Sequence, residues 1–173
     1  MMKYGIVAFP SKQLQDFANS YRKRYDSHYA KITPHITLKA GVTEVEDSQI
    51  ESISEYVNEI CHQFSPLKIH VTKVSSFAPV NNAIYLKVEP TEELLNLHNA
   101  LHTERFGGKA EYKFVPHITI AQDMSSGEHD DIYGQLRMTK VDFSEVINRI
   151  HLLYQLEDGS WTVYETYRLT GEA

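Results

Sequence analysis

The chain has 173 residues, of which 42% are hydrophobic and 23% charged, and its formal net charge is −6. This composition is ordinary for a globular protein and excludes the disordered and fibrous classes. The acidic balance argues against a broad phosphate-tracking surface for long nucleic acid, and no apolar stretch approaches the roughly 20 residues that span a bilayer. The single cysteine, Cys61, cannot form an intrachain disulfide, so we expect a reducing compartment, the cytoplasm by default.

The first half of the sequence predicts alternating strands and helices from apolar periodicity, caps and turn residues. The predicted elements are a strand over 4–9 stopped by Pro10, a helix capped by Ser11, a strand over 31–40, a helix opening at Asp47 or Ser48, and strands over 67–77 and 83–88.

The second half repeats part of this order. Its predicted elements are a helix capped by Thr91 with an apolar face from Leu94 and Leu95 to Phe106, a strand over 112–121, a polar loop over 125–131 leading to a short amphipathic piece around Ile132 and Leu136, and strands over 146–156 and 161–169 joined by a hairpin turn at 157–160.

The repeated order is an imperfect internal duplication. Strand, helix and a strand containing Pro-His-Ile-Thr occur at 4–38 and again at 83–120. Two copies of a β-α-β unit pack most simply as two lobes about a pseudo-twofold axis. We therefore predict one α+β domain over 1–173, bilobal, with mainly antiparallel sheets around a central cleft and helices outside.

The two motif strands are the candidate site. They read His35-Ile36-Thr37-Leu38 and His117-Ile118-Thr119-Ile120. Side chains alternate between the faces of a strand, so each histidine shares a face with its threonine while the apolar residues face a core. One such pair is typical of an ordinary half-exposed strand, but two copies at the ends of repeated units indicate a site.

This arrangement suits phosphoester chemistry. Displacement at phosphorus needs a base on the attacking oxygen and an acid on the leaving oxygen, and two facing imidazoles supply both near neutral pH. The hydroxyls of Thr37 and Thr119 would hold the non-bridging oxygens, whose charge must be stabilised in the transition state. Lys39 lies on the same face as Thr37 and either adds a positive charge to the substrate site or is solvated at the strand end. Its counterpart in the second motif is Ala121, so the site would be asymmetric.

Two other patterns have simpler interpretations. The basic run from Tyr21 to Tyr25 ends a predicted helix, where cations complement the helix dipole, and an RNA contact is the alternative. His98 and His102 are spaced by four on a helix, but no Glu lies between them as in metalloprotease helices. We interpret them as a helix-surface pair and predict no metal.

At the two motifs the sequence resembles the two-histidine (2H) phosphoesterase superfamily, whose signature is two copies of His-x-Ser/Thr-x flanked by apolar residues. The resemblance covers nearly the whole chain, and within the superfamily the sequence is similar to the YjcG family of phosphoesterases from Bacillus-like bacteria. It implies a bilobal α+β fold with a central cleft, no metal or other cofactor, and action on cyclic phosphates or 2′,5′-linked nucleotides. It also implies that His35 is the proton donor and His117 the proton acceptor, two roles that reverse for the reverse reaction.

Three functions follow as hypotheses. The first is hydrolysis of a 2′,3′-cyclic or related phosphodiester on a nucleotide or RNA end, without a membrane or an extensive nucleic-acid surface as partner. The second is 2′-5′ RNA ligation or a tRNA-processing step, and the third is a nucleotide-binding module without catalysis. We expect substrate identity to depend on the loops 75–82 and 122–131.

Overall fold

The computed structural model describes residues 2–108, 110 and 113–172, and for 41–44 it describes the backbone alone. In this part of the chain the strands are Met2–Ala8 (β1), Ile36–Val45 (β2), Leu67–Ser76 (β3), Ile84–Val88 (β4), His117–Ala121 (β5), Phe143–Ile147 (β6), Arg149–Gln155 (β7) and Trp161–Arg168 (β8). The α-helices are Lys12–Tyr25 (α1), Ile50–Cys61 (α2), Glu92–Ala100 (α3) and Ser126–Leu136 (α4).

The strands form two antiparallel sheets of four. The first sheet has the order β2-β1-β7-β8 and the second β5-β4-β3-β6. Each duplicated unit thus places its motif strand, β2 or β5, at the edge of its own sheet, paired with the strand that opens the unit. The predicted α+β class with mainly antiparallel sheets is confirmed.

The two units interlock at their motif strands. β2 contacts β5, α1 contacts β5, and α3 contacts β2. Each helix therefore lies against the motif strand of the other unit. This exchange brings the polar faces of the two strands to one side of the molecule.

Two helices, α1 and α3, start where the sequence predicts, whereas α2 begins at Ile50, after a 3₁₀ turn over Asp47–Gln49, rather than at Asp47 or Ser48. The Ser11 hydroxyl accepts a hydrogen bond from the Leu14 backbone N–H at 3.3 Å, and the Thr91 hydroxyl accepts one from Leu94 at 3.2 Å. The apolar faces pack into one core with both sheets. Leu95, which we predicted on the apolar face of α3, is 44% exposed instead.

Several predicted boundaries are wrong. β2 begins at Ile36 rather than residue 31. The N–H groups of Lys31 and Ile32 donate to the His28 carbonyl in a turn, so they are not available to pair with a neighbouring strand. β5 begins at His117, and Tyr112 lies outside the described residues. α3 ends at Ala100, and a separate 3₁₀ turn carries Phe106 into the core.

The predicted loop over 125–131 is helix α4. The Ser125 hydroxyl accepts from the Glu128 N–H, and the Glu128 carboxylate accepts from the Ser125 N–H, both at 3.2 Å. These reciprocal bonds form a capping box, a helix start signal that outweighs the polar composition.

The predicted strand over 146–156 is two strands in different sheets. β6 pairs with β3 in the second sheet and β7 with β1 in the first, and the chain passes between the sheets at Asn148. The predicted hairpin between β7 and β8 is confirmed. Its turn is closed by Gly159, whose φ of 86° is readily available only to glycine.

Candidate active site

The alternation predicted for the motif strands is present in both. Ile36 and Leu38 are each 1% exposed, whereas His35 and Thr37 are partly exposed on the opposite face. In β5, Ile118 is buried while His117 and Thr119 are partly exposed. Each strand thus holds its position through apolar burial and presents its polar pair to the cleft.

The two imidazoles are held in the same way. The Nδ1 of His35 lies 2.8 Å from the Thr33 carbonyl oxygen, and the Nδ1 of His117 lies 2.6 Å from that of Val115. A carbonyl oxygen only accepts, so Nδ1 carries the proton in both rings. The second nitrogen, Nε2, then has a lone pair available to take a proton, or donates one when the ring is charged.

The histidines open onto two adjoining recesses. The first recess has a volume of about 190 Å³, and its lining includes His35, Thr37, Lys39 and Trp161. The second recess is lined by His117 with residues of the loops that follow β3 and β5, among them Phe77, Asn81, Asn82 and Met124. Thr119 and Gln122 line both recesses, so the two share a boundary. Both loops that we expected to determine substrate identity contribute to this lining.

Burial lowers the pKa of both histidines. The pKa of His35 falls from 6.5 to about 4, first because burial disfavours the charged ring and then because the Arg22 guanidinium and His117 repel it. The hydrogen bond to Thr33 partly opposes this fall. Burial also lowers the pKa of His117, against the hydrogen bond to Val115. Both rings are therefore neutral at pH 7 in the unliganded protein.

His117 has an aromatic surrounding that the sequence did not indicate. Its ring centroid is 5.0 Å from that of Phe77 and 5.3 Å from that of Tyr85, and the two aromatic rings are 4.3 Å apart. Tyr85 lies opposite Thr119 on the neighbouring strand β4. These contacts fix the plane of the His117 ring.

Lys39 is not solvated at a strand end. Its side chain is 4% exposed, its Nζ lies 5.9 Å from the Phe106 ring centroid, and it lines the first recess with His35. Burial lowers its pKa. Among the described residues no carboxylate pairs with its ammonium group. The position of its counterpart, Ala121, is filled by a small buried side chain, so the site is asymmetric.

The basic run at the end of α1 divides into exposed and buried residues. Lys23 and Arg24 are exposed in the last helical turn, as the dipole interpretation predicts, but Arg22 is 2% exposed and lines the first recess. Its Nε lies 3.0 Å from the Asp26 carboxylate, and its Nη2 donates to the Ile32 carbonyl at 2.6 Å. The Arg22–Asp26 pair thus braces the turn that leads into His35. The sequence did not indicate this buried ion pair, because a spacing of four residues between opposite charges is common on exposed helix faces.

His98 in α3 and His102 beyond its end are not a surface pair. His98 is 8% exposed and its ring stacks on Phe114 at 4.1 Å, while the His102 ring bonds the His98 carbonyl. Within the described ranges, no three His, Cys, Asp or Glu side chains form a group that could hold a metal ion. No helix in those ranges is both long enough and apolar enough to cross a membrane.

A family profile and several known proteins match most of this chain. The profile of the 2′-5′ RNA ligase superfamily matches residues 10–159. A protein of Geobacillus sp. (strain WCH70) named "Putative phosphoesterase" is 56% identical over 171 residues, covering 99% of this chain and 98% of its own length. A protein of Bacillus licheniformis with the same description is 54% identical over 168 residues, covering 97% and 99%.

Solved structures share the fold at low sequence identity. E. coli LigT complexed with 3′-AMP superposes with a TM-score of 0.73 at 17% identity, covering 98% of each chain. A protein of Thermus thermophilus gives 0.71 at 16% identity, covering 99% of this chain and all of its own. The resemblance to the two-histidine phosphoesterase superfamily is therefore confirmed, and the chain belongs to the 2′-5′ RNA ligase superfamily, the two-histidine phosphoesterases.

Proposed function

We propose that this protein hydrolyses a cyclic phosphodiester, 2′,3′-cyclic or related, on a nucleotide or RNA end, as one 2H domain over 1–173. The observation that carries the proposal is the matched pair of imidazoles. Each has Nδ1 bonded to a backbone carbonyl, and each opens onto a recess that shares Thr119 and Gln122 with the other. A phosphate at that boundary would have one imidazole on either side.

The reaction is an in-line displacement by water. Water forms a bond to phosphorus and gives one proton to the acceptor histidine, while the ester bond to a ribose oxygen breaks and that oxygen takes the proton of the donor histidine. The resemblance to the family implies the donor role for His35 and the acceptor role for His117. Burial lowers the pKa of both rings, so each is a neutral proton acceptor in the unliganded protein. A bound phosphate anion raises both pKa values and so supplies the protonated partner.

Charge on the phosphoryl oxygens is held by neighbouring groups. Thr37 and Thr119 stand two residues after the histidines on the same strand faces, and their hydroxyls are partly exposed. Lys39 is the substrate-binding cation in this proposal. Its ammonium is removed from bulk water beside the recess, where its attraction for an anion is screened less than at the surface.

A small nucleotide or RNA end fits the cleft better than long nucleic acid. Solved structures of E. coli LigT are complexed with 3′-AMP, ATP, NADP⁺ or phosphate, which supports a nucleotide ligand here as well. The net charge of −6 supports a local anion site rather than an extended one.

Ligation of 2′-5′ RNA ends is the second candidate. The recess beside His117 is open and lined by Asn81 and Asn82, whose amides suit a nucleoside. A nucleoside hydroxyl bound there would replace water as the attacking group. A tRNA-processing step would use the same geometry.

The test is a substrate screen in excess EDTA. Cyclic phosphates, linear phosphodiesters, 2′,5′-oligonucleotides and paired RNA halves are incubated with the purified protein, and products are separated. We expect turnover of a cyclic phosphate that His35→Ala and His117→Ala each abolish. Activity that disappears in chelator and returns with a divalent ion would refute the metal-free mechanism. Tight nucleotide binding without turnover of any substrate would instead support a non-catalytic module.

A further inference from the structure

Gln122 stands where the two recesses meet. It follows the last residue of β5, is partly buried, and lines both recesses. Its backbone N–H donates to the Tyr25 carbonyl at 3.1 Å, and it forms a parallel bridge with Asp26. The end of the second motif strand is thereby fastened to the end of α1, which belongs to the other duplicated unit.

The orientation of the Gln122 side chain follows from its partner. Nε2 of Gln122 lies 2.8 Å from Oδ1 of Asp26, and an ionised carboxylate only accepts, so the nitrogen must face Asp26. Asp26 is itself fixed, since its other oxygen accepts from Arg22 at 3.0 Å. The side chains of Arg22 and Asp26 are each 2% exposed. The carbonyl oxygen occupies the other end of the amide, and no group of the described residues donates to it. A neutral hydrogen-bond acceptor is thus held at the boundary between the histidines.

We propose that Gln122 is a catalytic residue whose Oε1 accepts a hydrogen bond from the second proton of the attacking water. The inference rests on the proposed function. In the displacement, one water proton passes to the acceptor histidine, and the other remains on the oxygen that becomes part of the product phosphate. Gln122 holds this second proton and aligns the oxygen with phosphorus. Asp26 and Arg22 act through Gln122 as positioning residues.

An amide suits this role better than a carboxylate. A carboxylate would repel the phosphate and compete with the imidazole for the transferred proton, whereas the amide oxygen accepts without becoming charged. The arrangement also distinguishes water from an alcohol. Methanol has a single hydroxyl proton, which the acceptor histidine removes, so methanol has none left for Gln122. The wild-type protein should therefore prefer water to methanol more strongly than the intrinsic reactivities of the two nucleophiles would give.

The experiment measures partitioning between the two nucleophiles. A nucleoside 2′,3′-cyclic phosphate is converted in aqueous methanol, and the ratio of methyl ester to phosphomonoester is read by phosphorus NMR. Gln122→Met keeps the length of the side chain and removes the acceptor, so the ratio should rise about two- to tenfold, the value of one net hydrogen bond. Gln122→Asn, which withdraws the acceptor by one carbon, should raise it as well. The matched control is Gln15→Met, because Gln15 is also partly buried and donates to a carbonyl, that of Pro10 at 2.8 Å, away from the recesses.

The ratio does not depend on how much of a variant is folded, which separates the proposed role from a structural one. If the Met variant does not fold, the Asn variant gives the answer. An unchanged ratio in the folded variants, with turnover retained, overturns the role of Gln122 and leaves the proposed function standing. A wild-type protein that turns over no phosphodiester overturns the proposed function, and the role of Gln122 falls with it.

Discussion

Because the pKa of His35 is lowered in the folded protein, the free energy of unfolding depends on pH. The ring titrates near 6.5 in an unfolded chain and at about 4 in the folded protein. Between these values the unfolded state binds the proton and the folded state does not. Stability therefore falls as pH drops from about 7 to about 4, and the contribution levels off below that. At 1.36 kcal/mol per pKa unit, the full loss is about 3 kcal/mol.

The assay is urea unfolding of the wild type and His35→Gln at several values between pH 7 and pH 4. Glutamine does not titrate, so we expect the stability of the variant to fall by about 3 kcal/mol less than that of the wild type over this range. The Cε1 proton of the ring, followed by NMR, gives the pKa directly. Inorganic phosphate should raise that pKa, because an anion in the recess favours the charged ring.

Two results would contradict this reasoning. One is a His35 ring that titrates near 6.5 in the folded protein, which would mean that water and the Thr33 carbonyl compensate for burial. The other is the same pH dependence of unfolding in the wild type and the variant. The second result would assign the acid sensitivity of the fold to other groups.

Three further outcomes concern catalysis. Thr37→Ala and Thr119→Ala should each raise the barrier by roughly 2 to 4 kcal/mol, less than the histidine variants, and equal losses in well-folded protein would indicate another division of labour. The kcat/KM profile should be bell-shaped with an optimum on the acid side of neutrality, because burial lowers the pKa of both His35 and His117. A donor role for His35 predicts that the trace activity left in His35→Ala lacks the alkaline limb, and the double variant should be little worse than the worse single one because the pair acts as a unit. Lys39→Met should raise KM for the phosphodiester while leaving the protein as stable or more stable, since a buried unpaired charge costs stability; a lower melting temperature with unchanged KM would show a structural role instead.

The candidate site was predictable from the sequence to the extent that its signals are local. Alternation places His35 and Thr37 on one face without knowledge of the fold, and duplication of the motif indicates that a second such face exists. The cap at Ser11 is equally local. The capping box at Ser125 was also readable, but the polar composition of the segment obscured it.

The remaining features depend on contacts between distant segments. Burial of Arg22 and the orientation of Gln122 follow from the packing of α1 against β5, and no spacing within either segment encodes that contact. The sequence does not show that the chain passes from one sheet to the other at Asn148, because the residues of β6 and β7 on either side read as one continuous strand. From the sequence, Lys39 could equally have been solvated, and its burial next to Phe106 depends on packing between distant segments.

The pairing of β1 with β7 has a consequence for synthesis of the protein. β1 occupies an inner position of the first sheet, with Tyr4 opposite Tyr154. One edge of β1, which is synthesised first, therefore pairs with β7, which is synthesised near the end. Until β7 leaves the ribosome, β1 exposes an unpaired edge that neighbouring nascent chains can join. Leu153 and Trp161 line the recess of His35, so this half of the site also forms last. Slow, non-local folding that requires nearly the whole chain is the expected result, with a need for protection during translation.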